Sequence, residues 1–227
     1  MMAWVLFGLF FLLLFLGIPI SVSLGLSAIA SMALYGFPVA MFPLVMYASL
    51  GKFTLLAIPF FVLAGVIMEY AGISKRLIRF ANVLVGHVPG GLAIVTVLVA
   101  CFFAAISGSG PATVAAIGTI LIPAMVDGGY ERGFSCALIA ASGNIGIIIP
   151  PSIAFVVFGV LAEVSIGRLF IAGIVPGLLI GAALIIVSLY LVKSRGMKLK
   201  TCARSSWRER FDALREAVWG LLAPVFI

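Results

Sequence analysis

The chain carries Ser107-Gly108-Ser109-Gly110-Pro111-Ala112-Thr113 and, further on, Ser142-Gly143-Asn144-Ile145-Gly146 followed by Pro150-Pro151-Ser152. Both clusters combine small polar side chains with residues that break helices, and both interrupt long apolar runs. What they offer chemically is neutral oxygen. A hard cation such as Na⁺ is held by several oxygens at fixed positions, and hydroxyls together with carbonyls freed from a broken helix supply them without burying a formal charge. The glycines let backbone approach a ligand closely. Asn144 stands in an otherwise apolar run, where an unpartnered amide costs several kcal/mol, so it must face protein, ion or water. Its side-chain carbonyl would complement the Ser107/Ser109 tip, and an interhelical hydrogen bond is the alternative. Pro150 and Pro151 remove donors and free carbonyls one turn upstream. For Ser107–Thr113 the alternative is a small-residue helix-packing motif. The proline within that cluster and the second cluster in a neighbouring run favour a site.

Other chemistries fall away on the same residues. The glycine-rich stretch lacks the lysine and spacing of a phosphate-binding loop. Within the apolar runs there is no histidine or lysine to activate a serine, so a nucleophilic enzyme is disfavoured and no catalytic residue is assigned. The two broken runs also lack Asp, Glu, Lys and Arg, the groups proton relays use, which favours a metal cation over a proton. Cys101, Cys136 and Cys202 share no metal or redox spacing. His87, the lone histidine, lies in the turn-like Gly86-His87-Val88-Pro89-Gly90 and reads as an interfacial loop residue.

The elements that position these clusters must lie in a membrane. Of 227 residues, 64% are hydrophobic and 9% charged, with a mean hydropathy of +1.35. A soluble domain carries about 25% charged residues, so the chain reads as an all-α, multi-span integral membrane protein. Met1 onward reads as mature structure, because no basic segment precedes the first apolar run. In hydrocarbon, broken backbone is tolerated only against protein or a water-filled cavity. Two breaks therefore point to a solute or ion site near the midplane, and so to a transporter.

Residues 3–35 would make one helix of about 50 Å, interrupted at Gly17-Ile18-Pro19; they form either two short spans or one kinked helix. Residues 37–52 read as an interfacial connection, followed by a span over 54–70. Ser107–Pro111 divides the uncharged run 90–126 into arms of about 15 residues and 22 Å, short of a hydrocarbon core of about 30 Å. A re-entrant hairpin that leaves by its entry face fits these lengths. It also returns Asp127, Glu131 and Arg132 to the side of Lys75, Arg76 and Arg79. The uncharged 133–162, broken in its middle, then crosses; a span over 171–192 crosses back. Residues 193–216, with eight basic against three acidic side chains and a net charge of +5, thereby share the basic side. The positive-inside bias makes that side cytoplasmic and speaks against nucleic-acid binding.

These residues carry a resemblance. Ile106-Ser107-Gly108-Ser109-Gly110-Pro111-Ala112-Thr113-Val114-Ala115-Ala116-Ile117-Gly118 resembles the first hairpin of the large membrane subunit of tripartite ATP-independent periplasmic (TRAP) transporters. Ile148-Ile149-Pro150-Pro151-Ser152-Ile153, the stretch Ser165–Gly177, Ala57-Ile58-Pro59-Phe60-Phe61 and Gly86-His87-Val88-Pro89-Gly90-Gly91 are similar to its other signatures. The resemblance implies one half of an inverted-repeat, elevator-type fold. Residues 1–86 would be scaffold helices and 87–192 a transport unit of hairpin 90–126, broken helix 131–162 and closing span 171–192. A basic cytoplasmic loop, 193–216, and the start of a further span, 217–227, would follow. It further implies Na⁺-coupled import of organic acids, C4-dicarboxylates among them, across the bacterial inner membrane, with Na⁺ as coupling ion and no cofactor. A small four-helix membrane subunit and a periplasmic binding protein would be the partners. By the same likeness Ser107, Ser109, Gly110, Asn144 and Gly146 would form a sodium site, with Pro111, Thr113 and Ser152 near substrate. Family members run to about twice this length, so the second half of the permease is expected from further sequence or another chain. A non-transporting membrane fragment, or a related carrier that needs no binding protein, is the alternative.

Overall fold

The computed structural model describes residues 1–197, 199, 200 and 205–226, and every described element is helical. The chain divides into two units, Met1–Phe53 and Thr54–Ile227.

In the first unit, α1 (Met2–Phe15) and α2 (Ile20–Leu34) pack on each other across a turn at Gly17, whose φ of +81° favours glycine. Pro19 then caps α2, where its missing N–H costs nothing. Two helices, not one kinked helix, thus occupy residues 3–35. Ser23, Ser27 and Ser31, spaced by four, form the buried face of α2, and Ser23 and Ser27 donate to backbone carbonyls of their own segment. The stretch read as a connection over 37–52 contains a helix of its own, α3 (Met41–Leu50).

A 3₁₀ turn (Phe53–Leu56), all but its first residue in the second unit, leads into α4 (Ala57–Tyr70). Gly72, at φ +73°, turns the chain into α5 (Ile73–Val85). This helix buries Ser74, Leu77 and Ala81 while Lys75, Arg76 and Arg79 stay exposed. The hairpin is α6 (Gly91–Ser107) and α7 (Gly110–Asp127). The arm α6 is the centre of the unit: Ala93, Val95, Val97, Val99 and Ile106 are wholly buried. At 17 and 18 residues, the arms are about 25 and 27 Å long. The broken helix comprises α8 (Arg132–Gly143), α9 (Ile145–Ile148) and α10 (Ile153–Leu161), with a 42° bend between the part ending at Ile148 and the part beginning at Ile153. Hairpin and broken helix lie within a residue or so of the predicted bounds.

The closing helix α11 runs Ile166–Ser194, longer than the predicted 171–192 because Ser165 caps it and draws Arg168 into its first turn. Gly173, Gly177 and Gly181 form a buried stripe on α11. A Cβ at Gly173 would strike Ile148 O, one at Gly177 would lie 2.5 Å from Ile149 Cγ1, and one at Gly181 3.1 Å from Cys101 Sγ. The stripe lets α11 press against the break itself.

Two further readings need correction. The stretch 193–216 is not loop throughout, and no new segment begins at 217: α12 (Trp207–Phe226) is one continuous helix across both. Ser206 and Glu209 cap it reciprocally, Ser206 N donating to Glu209 Oε2 at 2.8 Å and Glu209 N to Ser206 Oγ at 3.3 Å. Ala213, Ala217 and Gly220 turn towards α5, where Arg79 pairs with Glu216 at 2.6 Å. Residue 198, the stretch 201–204 and residue 227 of the predicted loop and span lie outside the described residues. Contacts of α4 and α5 with α6 place both helices in the same compact unit as the hairpin, which starts at Thr54.

The surface is that of a membrane protein. Phe53–Tyr70, Gly110–Asp127 and Ile166–Ser194 are long and apolar enough to span, as is the bent pair taken together. Tyr70 is 90% exposed and Leu161 75%, while serines Ser107, Ser142 and Ser152 are buried. Apolar groups outside and paired polar groups inside are what a hydrocarbon surround requires.

Candidate ion site at the meeting of two helix breaks

The turn between α6 and α7 is two residues, Gly108 and Ser109. Gly108 has φ +61°, which ends α6 in the left-handed conformation. Ser109 then caps α7, its hydroxyl accepting from Ala112 N at 3.5 Å. Pro111 sits in the first turn of α7, where no N–H is needed, and is exposed on the rim.

Three oxygens converge inside this turn. Thr113 Oγ1, wholly buried, donates to Ser109 O at 2.8 Å. Ser107 Oγ lies 3.1 Å from Thr113 Oγ1 and 3.3 Å from Ser109 O, and accepts from Ser109 N at 3.3 Å. All three are neutral. Hydroxyl protons rotate, so Ser107 and Thr113 can turn lone pairs to a cation that takes over from their mutual hydrogen bonds. Such a trio supplies part of a hard-cation shell and no charge of its own.

The second break is pressed against this turn. A Cβ at Gly146 would stand 2.9 Å from Thr113 Oγ1 and 3.1 Å from Ser109 O, so no larger residue fits the present spacing. A Cβ at Gly110 would lie 2.9 Å from Gly143 O, and one at Gly143 would strike Val114. Further along, Ile153 N donates to Gly108 O at 3.1 Å, a backbone bond that ties the tip to the start of α10. A Cβ at Gly108 would meet Pro151 O at 2.7 Å. Ser152, buried, caps α10 through Phe155 N at 3.4 Å and donates to Ile147 O, bridging the gap between α9 and α10.

Each break therefore juxtaposes a carbonyl end with an N–H end: α6 against α7, and α9 against α10. Carbonyl ends carry partial negative charge suited to a cation, and N–H ends partial positive charge suited to an anion.

The predicted residues are sorted by this geometry. Ser107, Ser109, Gly110, Thr113 and Gly146 come together. Thr113, predicted near substrate, sits among the cation-type oxygens. Ser152 belongs to the second break and bonds there instead of to the trio. Asn144 does not join the cluster: its side chain is exposed, while its backbone links α8 to α9 through Ala141 O and Ile147 N. Sequence reasoning passed over Gly65 and Glu69. A Cβ at Gly65 would come within 3.3 Å of Ser107 Cα, so α4 also abuts the tip. Together Val62, Gly65, Val66 and Glu69 line, with Ser107 and Ser109, a cavity of about 90 Å³. The available signal was a glycine amid the bulky residues of Phe60–Tyr70.

Comparison with known proteins meets the same segments. The family model described as the DctM component of the tripartite ATP-independent periplasmic transporter matches residues 7–227. The isethionate TRAP transporter permease protein DctMQ of Oleidesulfovibrio alaskensis is 48% identical over 98% of this chain and 35% of its own length. The C4-dicarboxylate TRAP transporter large permease protein of Pseudomonas aeruginosa is 49% identical over 90% of this chain and 48% of its own. The sialic acid TRAP transporter large permease protein of Vibrio cholerae is 42% identical over 95% of this chain and 50% of its own. The chain thus spans about half the length of these relatives or less, and what they share with it are permease components, not enzymes. Helical membrane architecture, the hairpin set against a broken helix, and the match over nearly all its length place this chain in the DctM family of TRAP transporter large permease components.

Proposed function

We propose that this chain forms a cation-binding half-site of a Na⁺-coupled TRAP permease that imports organic acids, C4-dicarboxylates among the candidates, across the bacterial inner membrane. The observation that carries the reading is the junction at which Ser107 Oγ, Ser109 O and Thr113 Oγ1 lie 2.8–3.3 Å apart with Gly146 closing over them. Neutral oxygens at a helix break suit a monovalent cation. The N-termini of α7 and α10, capped by serines, suit a carboxylate beside it. Binding both together couples the organic acid to the ion gradient. The mechanism is elevator-like: the hairpin unit moves with its ion and solute. It turns back at Ser107–Pro111, so both ends of the hairpin face the cytoplasm with the basic 193–216.

The names of the relatives support a carboxylate or sulfonate cargo, since isethionate, C4-dicarboxylates and sialic acid are all anions at neutral pH. A periplasmic binding protein delivers the solute and a small four-helix membrane subunit accompanies the permease. The remaining half of the solute site comes from permease sequence beyond the region described. The test is Na⁺-dependent solute uptake by the assembled transporter in proteoliposomes. Ser107→Ala combined with Thr113→Val removes two of three oxygens and should abolish the Na⁺ dependence. Unaltered Na⁺ dependence in that variant would overturn the assignment.

A further inference from the structure

A groove leads away from the oxygen trio. The small cavity at the tip, about 90 Å³, has Val66 and Glu69 of α4 in its wall. The same Val66 and Glu69 line a larger cavity of about 540 Å³, whose other polar walls are Tyr70, Ser74, Lys75 and Thr119. The two cavities thus form one groove between α4 and α7. From Ala112, which lines the inner chamber, to Thr119, which lines the outer, it follows α7 for about 10 Å. It opens beside the basic residues of α5.

Ser74 in the groove's wall is 4% exposed, and its Oγ is buried with no hydrogen-bond partner among the described residues. Glu69 keeps its carboxylate unpaired: the ion pairs among the described residues are Arg79–Glu216 and Arg195–Glu131. The inner chamber has room for several waters. A site for a small organic molecule needs about 300 Å³ or more. The inner chamber is well below that size and the outer one above it, so the organic acid is excluded at the inner end, where a small ion still fits.

We propose that this groove is a cation path between the tip and the face bearing Lys75, separate from the solute's route, and that Glu69 is the carboxylate that draws the cation along it. The proposal rests on the reading of the tip as a cation site. Lys75 at the outer end opposes Glu69, so the balance of the two charges sets how readily a cation enters.

The test uses the assembled transporter with Cys101, Cys136 and Cys202 replaced by Ala and Thr119→Cys introduced. Cationic and anionic methanethiosulfonate reagents are applied from the Lys75 face, and the ratio of their rates is measured. A unit charge lining the same cavity as the thiol acts on the two reagents in opposite directions, so removing Glu69 shifts the ratio severalfold. Glu69→Gln should lower the cation preference by that order, and Lys75→Gln should raise it. A ratio unmoved by Glu69→Gln, or an unreactive thiol in a transporter that still takes up solute, would overturn the proposal. The ratio is read without transport, so its outcome is independent of whether Ser107 and Thr113 carry the Na⁺ dependence.

Discussion

Gly146→Ala puts the meeting of the two breaks to the test. The added methyl would stand 2.9 Å from Thr113 Oγ1 and 3.1 Å from Ser109 O. Carbon–oxygen contacts settle at about 3.3–3.6 Å, so the second break must withdraw from the hairpin tip by roughly half an ångström. Overpacking of this kind costs about 1–3 kcal/mol. If the ion-bound state needs the closed spacing, that cost falls on binding and weakens apparent Na⁺ affinity by about 5- to 150-fold. The assay is Na⁺ dependence of uptake by the assembled transporter, with thermal stability followed in parallel. The double variant Gly146→Ala/Thr113→Ala separates packing from ligation. Removing Thr113 Oγ1 relieves the closer contact and leaves that with Ser109 O, so stability should recover in part, but it also deletes an oxygen, so Na⁺ affinity should not. An affinity within twofold of the parent and unchanged stability in Gly146→Ala would refute the close approach and the reasoning built on it.

Single cysteines at Gly90 and Asp127 should both be labelled from the face that labels Lys75→Cys; labelling of the pair from opposite faces would replace the re-entrant hairpin with an ordinary crossing. Ser206→Ala breaks the reciprocal cap of α12 and should cost about 1 kcal/mol, seen as faster amide exchange over 207–211. Arg79→Gln should change thermal stability by under about 1 kcal/mol, because the pair with Glu216 is half exposed on both sides. By contrast, Ala217→Leu, at a position 1% exposed, should loosen α12 from α5 by about 1–3 kcal/mol. Amide exchange over 73–85 and 207–222 distinguishes the two.

The hairpin and the broken helix were legible because their signals are local. Gly108 ends one helix and Ser109 with Pro111 starts the next, while Pro150-Pro151 cannot continue α9. These preferences act within a few residues whatever the surroundings. The same kind of signal was present and passed over at Ser206-x-x-Glu209. There the density of arginines argued for loop, yet a capping box and apolar residues at helical spacing make α12. Asn144 is different: an amide in an apolar run has to find a partner, but whether it does so within this chain depends on how α8 hands over to α9, and here the residue is exposed.

By itself the sequence determined a helical membrane chain with breaks at Ser107–Thr113 and Ser142–Ser152, because burying unpaired backbone in hydrocarbon is forbidden and breakers act locally. Tertiary structure decided which oxygens share a space. Ser109 O faces Gly146, Gly108 O receives Ile153 N, and α4 brings Glu69 to the tip through the gap that Gly65 leaves. Those encounters join residues 37 to 45 positions apart or bring in a separate helix, and they depend on packing distances of a few tenths of an ångström. No local preference encodes such distances; the packed helices set them.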